Sequence, residues 1–136
     1  MELAADANVL LSAVIGGRAK LILNHPEIQA VLTTESTLSE VQEYALLLAR
    51  KKRLPSDIVL LAVAALPVEV VTHATYSRQI PEALRQIGKR DPDDAELLAL
   101  ALHFQIPVWS NDHDFENLTV ELFTTADLLR QLAVIK

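Results

Sequence analysis

Five carboxylates, Asp6, Glu40, Asp94, Asp112 and Asp114, stand where apolar runs end or where helices should begin. Oxygen ligands gathered from the ends of neighbouring strands favour Mg²⁺ or Mn²⁺. Such a pocket can polarise a phosphoryl oxygen, acidify a bound water and hold nucleophile and leaving group in line. Each acid also has a plain structural explanation. Asp6 and Asp112 suit turn or N-cap positions after strands. Glu40 completes a Thr-x-x-Glu capping box opened by Thr37. Asp91 fits an N-cap ahead of Pro92, with Asp93 and Asp94 favourable beside the positive end of the following helix.

The elements around the acids decide between these readings. Leu3 to Ala5 reads as a short buried strand, and Val9 to Ile15 as a helix stopped by Gly16-Gly17. A helix follows over Arg18 to Asn24, then a strand over Val31 to Thr34. Thr37 to about Arg50 is amphipathic, with Leu38, Val41, Ala45, Leu48 and Ala49 at helical spacing. Pro55-Ser56-Asp57 opens a helix that Pro67 ends, and Val68 to Thr72 is β-branched as a buried strand would be. Pro81 to Ile87 and Asp91 to Phe104 should be helical, Pro107 to Ser110 and Val120 to Thr124 strands, and Ala126 to Leu132 a last helix. This alternation predicts an α/β fold, a central parallel sheet of four to five strands with helices on both faces. In such a sheet the turns from strands into helices share one rim, where ligands bind as strand order reverses. Acids clustered on that rim would repel, raising their pKa values and costing stability unless a cation intervenes.

Composition narrows the field. The 136 residues suit one domain, 1–136, without repeat or interdomain linker. Residues are 51% hydrophobic but only 4% aromatic, which predicts an aliphatic core and hints at an apolar interface. The absence of cysteine excludes disulfides and thiolate chemistry. No signal peptide or membrane-spanning run is visible, so a cytoplasmic protein is expected. The net charge of −6 argues against a broadly basic nucleic-acid surface, yet Arg50-Lys51-Lys52-Arg53 and Arg85, Lys89 and Arg90 form local basic blocks. Either block could simply complement the dipole at a helix C-terminus. There is no GxxxxGK[ST] loop, no Gly-x-Ser-x-Gly elbow and no paired histidines at zinc-ligand spacing. His113 reads as a solvent-facing loop residue, Trp109 as core, and His25, His73 and His103 carry no assigned role. The chemistry left is phosphodiester hydrolysis.

The acids and their contexts resemble the PIN-domain family of metal-dependent ribonucleases across essentially the whole chain. Leu-Ala-Ala-Asp6-Ala-Asn8-Val-Leu-Leu is similar to that family's first motif, and Glu40 in Leu-Ser-Glu-Val to its second. Asp94-Ala-Glu-Leu-Leu-Ala-Leu-Ala is similar to the third, and Ile-Pro-Val-Trp-Ser110-Asn-Asp112-His-Asp114-Phe to the fourth. Ala7 and Ser110 stand where a threonine is common in relatives; Ser110 keeps the hydroxyl and Ala7 loses it. The resemblance implies catalysis by Asp6, Glu40, Asp94 and Asp112, metal binding by these and Asp114, and support from Asn8 and Ser110. It leaves open whether Asp91 or Asp93 shares the role given to Asp94. It further implies a Mg²⁺- or Mn²⁺-dependent endoribonuclease with an RNA substrate. Many small relatives are toxins of toxin–antitoxin pairs and form homodimers, so an antitoxin partner and a homodimer are expected. Arg50, Lys51, Lys52 and Arg53 are candidate substrate-binding residues.

Two other functions fit parts of the pattern. One is a non-catalytic PIN-like interaction module that keeps a structural metal site. The other is a phosphoaspartate receiver or phosphatase, weakened because Asp6-x-Asn8 lacks a second acid and no lysine follows a strand as a receiver requires.

Overall fold

The computed structural model describes residues 1–88 and 91–133. Lys89 and Arg90 of the second basic block lie outside the described residues. The elements run β1 (Glu2–Ala5), α1 (Ala7–Val14), α2 (Ala19–Leu23), β2 (Ala30–Thr34), α3 (Glu35–Lys51), α4 (Ser56–Ala64) and β3 (Glu69–Val71). They continue with α5 (His73–Tyr76), α6 (Ile80–Ile87), α7 (Pro92–Phe104), β4 (Val108–Trp109), β5 (Leu122–Phe123) and α8 (Thr125–Gln131). Short 3₁₀ turns cover Ser77–Gln79 and His113–Phe115.

The five strands form one parallel sheet in the order β3-β2-β1-β4-β5. The chain builds outward from β1 to β3, then returns to the other side of β1 for β4. The order therefore reverses between β1 and β4, the place where an α/β sheet opens a crevice at its carboxyl edge.

Strand side chains alternate between two cores. Leu3, Ala5, Val31 and Trp109 pack with Val9 and Leu10 of α1, Val41 and Ala45 of α3, and Leu128 and Leu129 of α8. Ala4, Leu32 and Val108 pack on the opposite face with Leu97, Leu98 and Ala101 of α7 and Ala83 and Ile87 of α6. The α7 segment is so rich in Leu and Ala because it is enclosed by the sheet, α6 and the Phe115 turn; Leu98, Ala99, Leu100 and Ala101 are all fully buried.

Three expectations need correction. First, α3 begins at Glu35 rather than Thr37. Its cap is Thr34, whose Oγ1 accepts from the Thr37 N–H at 3.0 Å, so Thr37 and Glu40 form no capping box. Glu40 sits in the second turn, where no orphan N–H remains for it to satisfy. Second, β3 is an edge strand and not a buried one: Glu69 and Val70 are exposed because, among the described residues, no sixth strand pairs with it. Third, α5 and the turn after it were unforeseen, since His73–Tyr76 is too short to show a period.

The surplus of apolar residues lies partly outside. Of α4 only Val63 is buried, while Ile58 and Leu61 are exposed together with Leu47 of α3 and Leu54 of the link between the helices.

Gln105 closes α7 in the left-handed conformation, φ 55° and ψ 48°, with its N–H bonded to the Ala101 carbonyl. An L side chain pays there for Cβ crowding that glycine avoids. Gln105→Gly is expected to stabilise the protein by about 0.5–1 kcal/mol, less than the full strain because glycine also loosens the unfolded chain. Thermal melting checks this; a lower melting temperature contradicts it.

Candidate metal centre

The register of β1 against β4 builds the site. Ala5 lies opposite Trp109, so the next residues along, Asp6 and Ser110, face each other across the crevice although 104 positions apart. The ladder continues through them, with the Asp6 N–H bonded to the Trp109 carbonyl at 3.2 Å and the Ser110 N–H to the Phe123 carbonyl at 3.1 Å. Ser110 is fully buried and its hydroxyl donates to Asp6 Oδ2. The same Oγ accepts the Asp112 N–H at 2.9 Å. Asp6 Oδ1 accepts the Val9 N–H at 3.1 Å, capping α1. Asp6 thus caps a helix and also presents a carboxylate to the rim, so the two readings of this residue are both met.

Asp112 caps the 3₁₀ turn through Oδ1, which accepts the Asp114 N–H at 2.9 Å. That turn brings Asp114 back toward Asp112. Across from them Asp91 caps α7, its Oδ1 taking the Asp93 N–H at 2.9 Å. Asp94, in the first turn, points to the same place. Oxygens of Asp94, Asp112 and Asp114 lie within 4.8 Å of one another.

Asp6, Asn8, Thr37, Glu40, Asp91, Asp93, Asp94 and Asp112 wall a cleft of about 70 Å³, with Leu97 at its floor. By volume it admits ions and a handful of waters but no whole nucleotide. Asp93 acts chiefly on Glu40, Asp91 acts on both Glu40 and Asp94, and Asp94 converges with Asp112 and Asp114. Thr37 was not foreseen as a wall residue; it is placed by the Thr34 cap, where Thr34 Oγ1 also donates to Thr37 Oγ1 at 2.8 Å.

The charges interact as close carboxylates must. Burial is the largest cause lifting Asp6 above the ordinary carboxylate range, and the Asp112 charge adds to it. Hydrogen bonds from Ser110 and from the backbone of Val9 and Asn8 pull it back. Asp94 is pushed up to about 7, first by burial and then by Asp91, Asp112, Asp114 and Asp6. Glu40 is raised by burial, by the charge of Asp93 and a hydrogen bond with it, and by Asp91; a hydrogen bond from Tyr44 opposes this. Among the described residues no arginine, lysine or histidine lines the cleft to offset them. The donor set, carboxylate oxygens alone, fits a hard divalent cation.

The other candidates lie elsewhere. Arg50, Lys51, Lys52 and Arg53 end α3 and are all exposed, about three helical turns from Glu40. His113 is 90% exposed and pairs with Glu116 at 2.7 Å. Trp109 is buried, its Nε1 donating to Thr125 Oγ1 at 3.0 Å.

The sequence matches the PIN domain family over residues 5–133. The chain belongs to the PIN-domain family. Among solved structures, PAE2754 from Pyrobaculum aerophilum superposes with TM-score 0.70 at 16% identity, covering 99% of this chain and 91% of that one. A toxin-antitoxin complex from Klebsiella pneumoniae gives 0.64 at 23% identity, with 90% and 97% covered. VapC20 from Mycobacterium tuberculosis, described as a Sarcin-Ricin loop cleaving toxin, gives 0.59 at 23%, with 83% and 92% covered. At these identities the likeness is one of fold. No curated protein matched the sequence. Among the described residues no helix is long and apolar enough to cross a membrane.

Proposed function

We propose that the chain is a divalent-metal-dependent endoribonuclease acting as one unit over 1–136, in the cytoplasm, as the toxin of a toxin–antitoxin pair. The observation that carries this is the convergence of Asp94, Asp112 and Asp114 oxygens at the reversal point of the sheet, beside the buried Asp6. Asp94, Asp112 and Asp114 are the residues to hold Mg²⁺ or Mn²⁺, with Asp6 completing the set from the β1 side. The bound ion supplies Lewis acidity toward a phosphoryl oxygen and a more acidic water. Ser110 fixes the Asp6 carboxylate and the Asp112 backbone together, so the two acids keep one spacing. Glu40, on the opposite wall and raised by its neighbours, is placed to take a proton from the attacking water. Asn8 and Thr37 offer uncharged polar groups to phosphate oxygens or water. Asp91 and Asp93 keep the Glu40 wall negative and do not replace Asp94 in the ligand set.

The toxin–antitoxin role rests on the family and on the Klebsiella complex and the VapC20 toxin whose fold this chain shares. An antitoxin protein and a second copy of the chain are the partners this implies, and the exposed Ile58, Leu60 and Leu61 of α4 provide apolar surface for either.

Two measurements test the chemistry. Purified protein should cleave RNA in Mg²⁺ or Mn²⁺ and not in EDTA; full activity in EDTA overturns the proposal. Metal binding should also stabilise the fold, by about 2.7 kcal/mol at a hundredfold excess over Kd. Stabilisation without cleavage of any RNA tested would favour the non-catalytic module instead.

A further inference from the structure

Among the described residues every charged group lining the cleft is a carboxylate, so the cations described nearest along α3 are the ones to consider as an anchor for an RNA strand. One face of α3 provides a path. Glu40, Tyr44, Leu47, Leu48 and Lys51 follow at i, i+4, i+7, i+8 and i+11, the spacing of a single helical stripe. It begins at Glu40 in the cleft and ends about 17 Å away at Lys51. Tyr44, Leu47, Leu48 and Lys51 form a shallow groove with Asn8 and Leu11 of α1, and Asn8 also walls the metal cleft, so the two depressions adjoin at that residue. Tyr44 is 41% exposed and Leu47 51% exposed. At the far end, Arg50, Lys51, Lys52 and Arg53 are exposed, and among the described residues none makes an ion pair.

We propose that this α1–α3 groove is the binding path for single-stranded RNA leaving the metal centre, with a base stacked on Tyr44 and phosphates held by Lys51 and its basic neighbours. Charge selects this occupant: free cations wait where the backbone emerges from the repelling cleft, and an exposed aromatic ring lies between. Stacking on an aromatic ring suits any base, and cations track a backbone without reading sequence, so the groove favours an unpaired strand over a duplex. Tyr44 lies one turn along α3 from Glu40, which sets its ring beside the mouth of the cleft.

The proposal rests on the ribonuclease reading and has its own test. KM and kcat are measured in Mn²⁺ on an unstructured RNA of on the order of ten nucleotides and on a dinucleotide too short to reach Lys51. Tyr44→Leu and Lys51→Ala are each expected to raise KM roughly tenfold on the longer RNA, with kcat little changed. Both should change dinucleotide cleavage far less than cleavage of the longer RNA, and Tyr44→Phe, which keeps the ring, should keep KM on the longer RNA close to that of wild type. Unchanged KM in Tyr44→Leu overturns the path, as it would if the groove seats a protein segment instead. So does a rise in KM for Tyr44→Phe equal to that for Tyr44→Leu, which would assign the effect to the hydroxyl rather than to stacking on the ring. Absence of metal-dependent cleavage by the wild type is a different failure, of the ribonuclease reading, and removes this proposal with it.

Discussion

Asp94→Asn is expected to lose metal-dependent RNA cleavage by on the order of a thousandfold while melting at a higher temperature than wild type in EDTA. The two effects have one cause. Asp94 belongs to the trio whose oxygens lie within 4.8 Å, so under the proposed metal role its charge serves the ion and is harmful without it. In the metal-free protein its carboxyl is pushed up to about 7 by burial and by four neighbouring aspartates, against 3.8 for an unperturbed group. The whole shift would correspond to about 4 kcal/mol, but Asp94 is half exposed to solvent and screening reduces this to about 1–2 kcal/mol. Asparagine keeps the shape and removes the repulsion, raising the melting temperature by about 5 °C. Adding Mn²⁺ should then stabilise the variant far less than wild type. A variant that melts lower than wild type in EDTA, or that keeps the full Mn²⁺ response, contradicts the account.

The sign of the pH dependence follows. A folded carboxyl raised above its unfolded value holds its proton longer in the native state, so the native state binds more protons over that interval. For Asp94 the stability is intact below about pH 4 and declines as pH rises toward 7. Asp6 and Glu40 are raised for the same reason and act in the same direction. Bound metal, by stabilising the ionised forms, should flatten or reverse this slope.

How far the site could be read from the sequence depended on how local its causes are. The parallel sheet was legible because β1, β2 and β4 are short apolar runs separated by helix signals, and because Asp91-Pro92 and Gly16-Gly17 mark helix ends with backbone chemistry that needs no tertiary context. The edge position of β3 was not legible, since β-branched residues suit an edge and a centre alike and only the strand order separates them. The Thr37 capping box failed for a related reason. Thr34 and Thr37 both offer a hydroxyl at the right kind of position, and the end of β2 chose Thr34. Thr37 consequently turns toward the cleft, where no motif had placed it. The acids themselves were visible, Asp6, Asp112 and Asp114 as residues following strands and Glu40 and Asp94 as residues near helix starts. The convergence of Asp94 with Asp112 and Asp114, and the approach of Asp93 to Glu40, depend on how α7 crosses the rim, which no local pattern encodes.

Ser110→Ala is expected to destabilise the protein by about 1–3 kcal/mol and to weaken Mn²⁺ binding by about 10–100-fold, without touching a ligand. The hydroxyl removed is small, so lost packing is minor; the loss lies in what it bonds. Asp6 is 8% exposed and would retain only backbone partners for a carboxylate kept from water. The Asp112 N–H would lose its acceptor at the start of the turn that carries Asp112 and Asp114. Both ends of the metal set are therefore loosened by one atom. Without the Ser110 bond, burial should raise the Asp6 carboxyl further. The destabilisation should therefore shrink as pH falls and Asp6 becomes protonated, a readout that a simple packing defect would not give. Ser110→Thr keeps the hydroxyl and should restore metal affinity even if the added methyl group costs some stability in this fully buried position. Melting curves across pH and Mn²⁺ concentration measure all three quantities. An alanine variant that binds Mn²⁺ as tightly as wild type would show that Asp6 and Asp112 hold their spacing without Ser110.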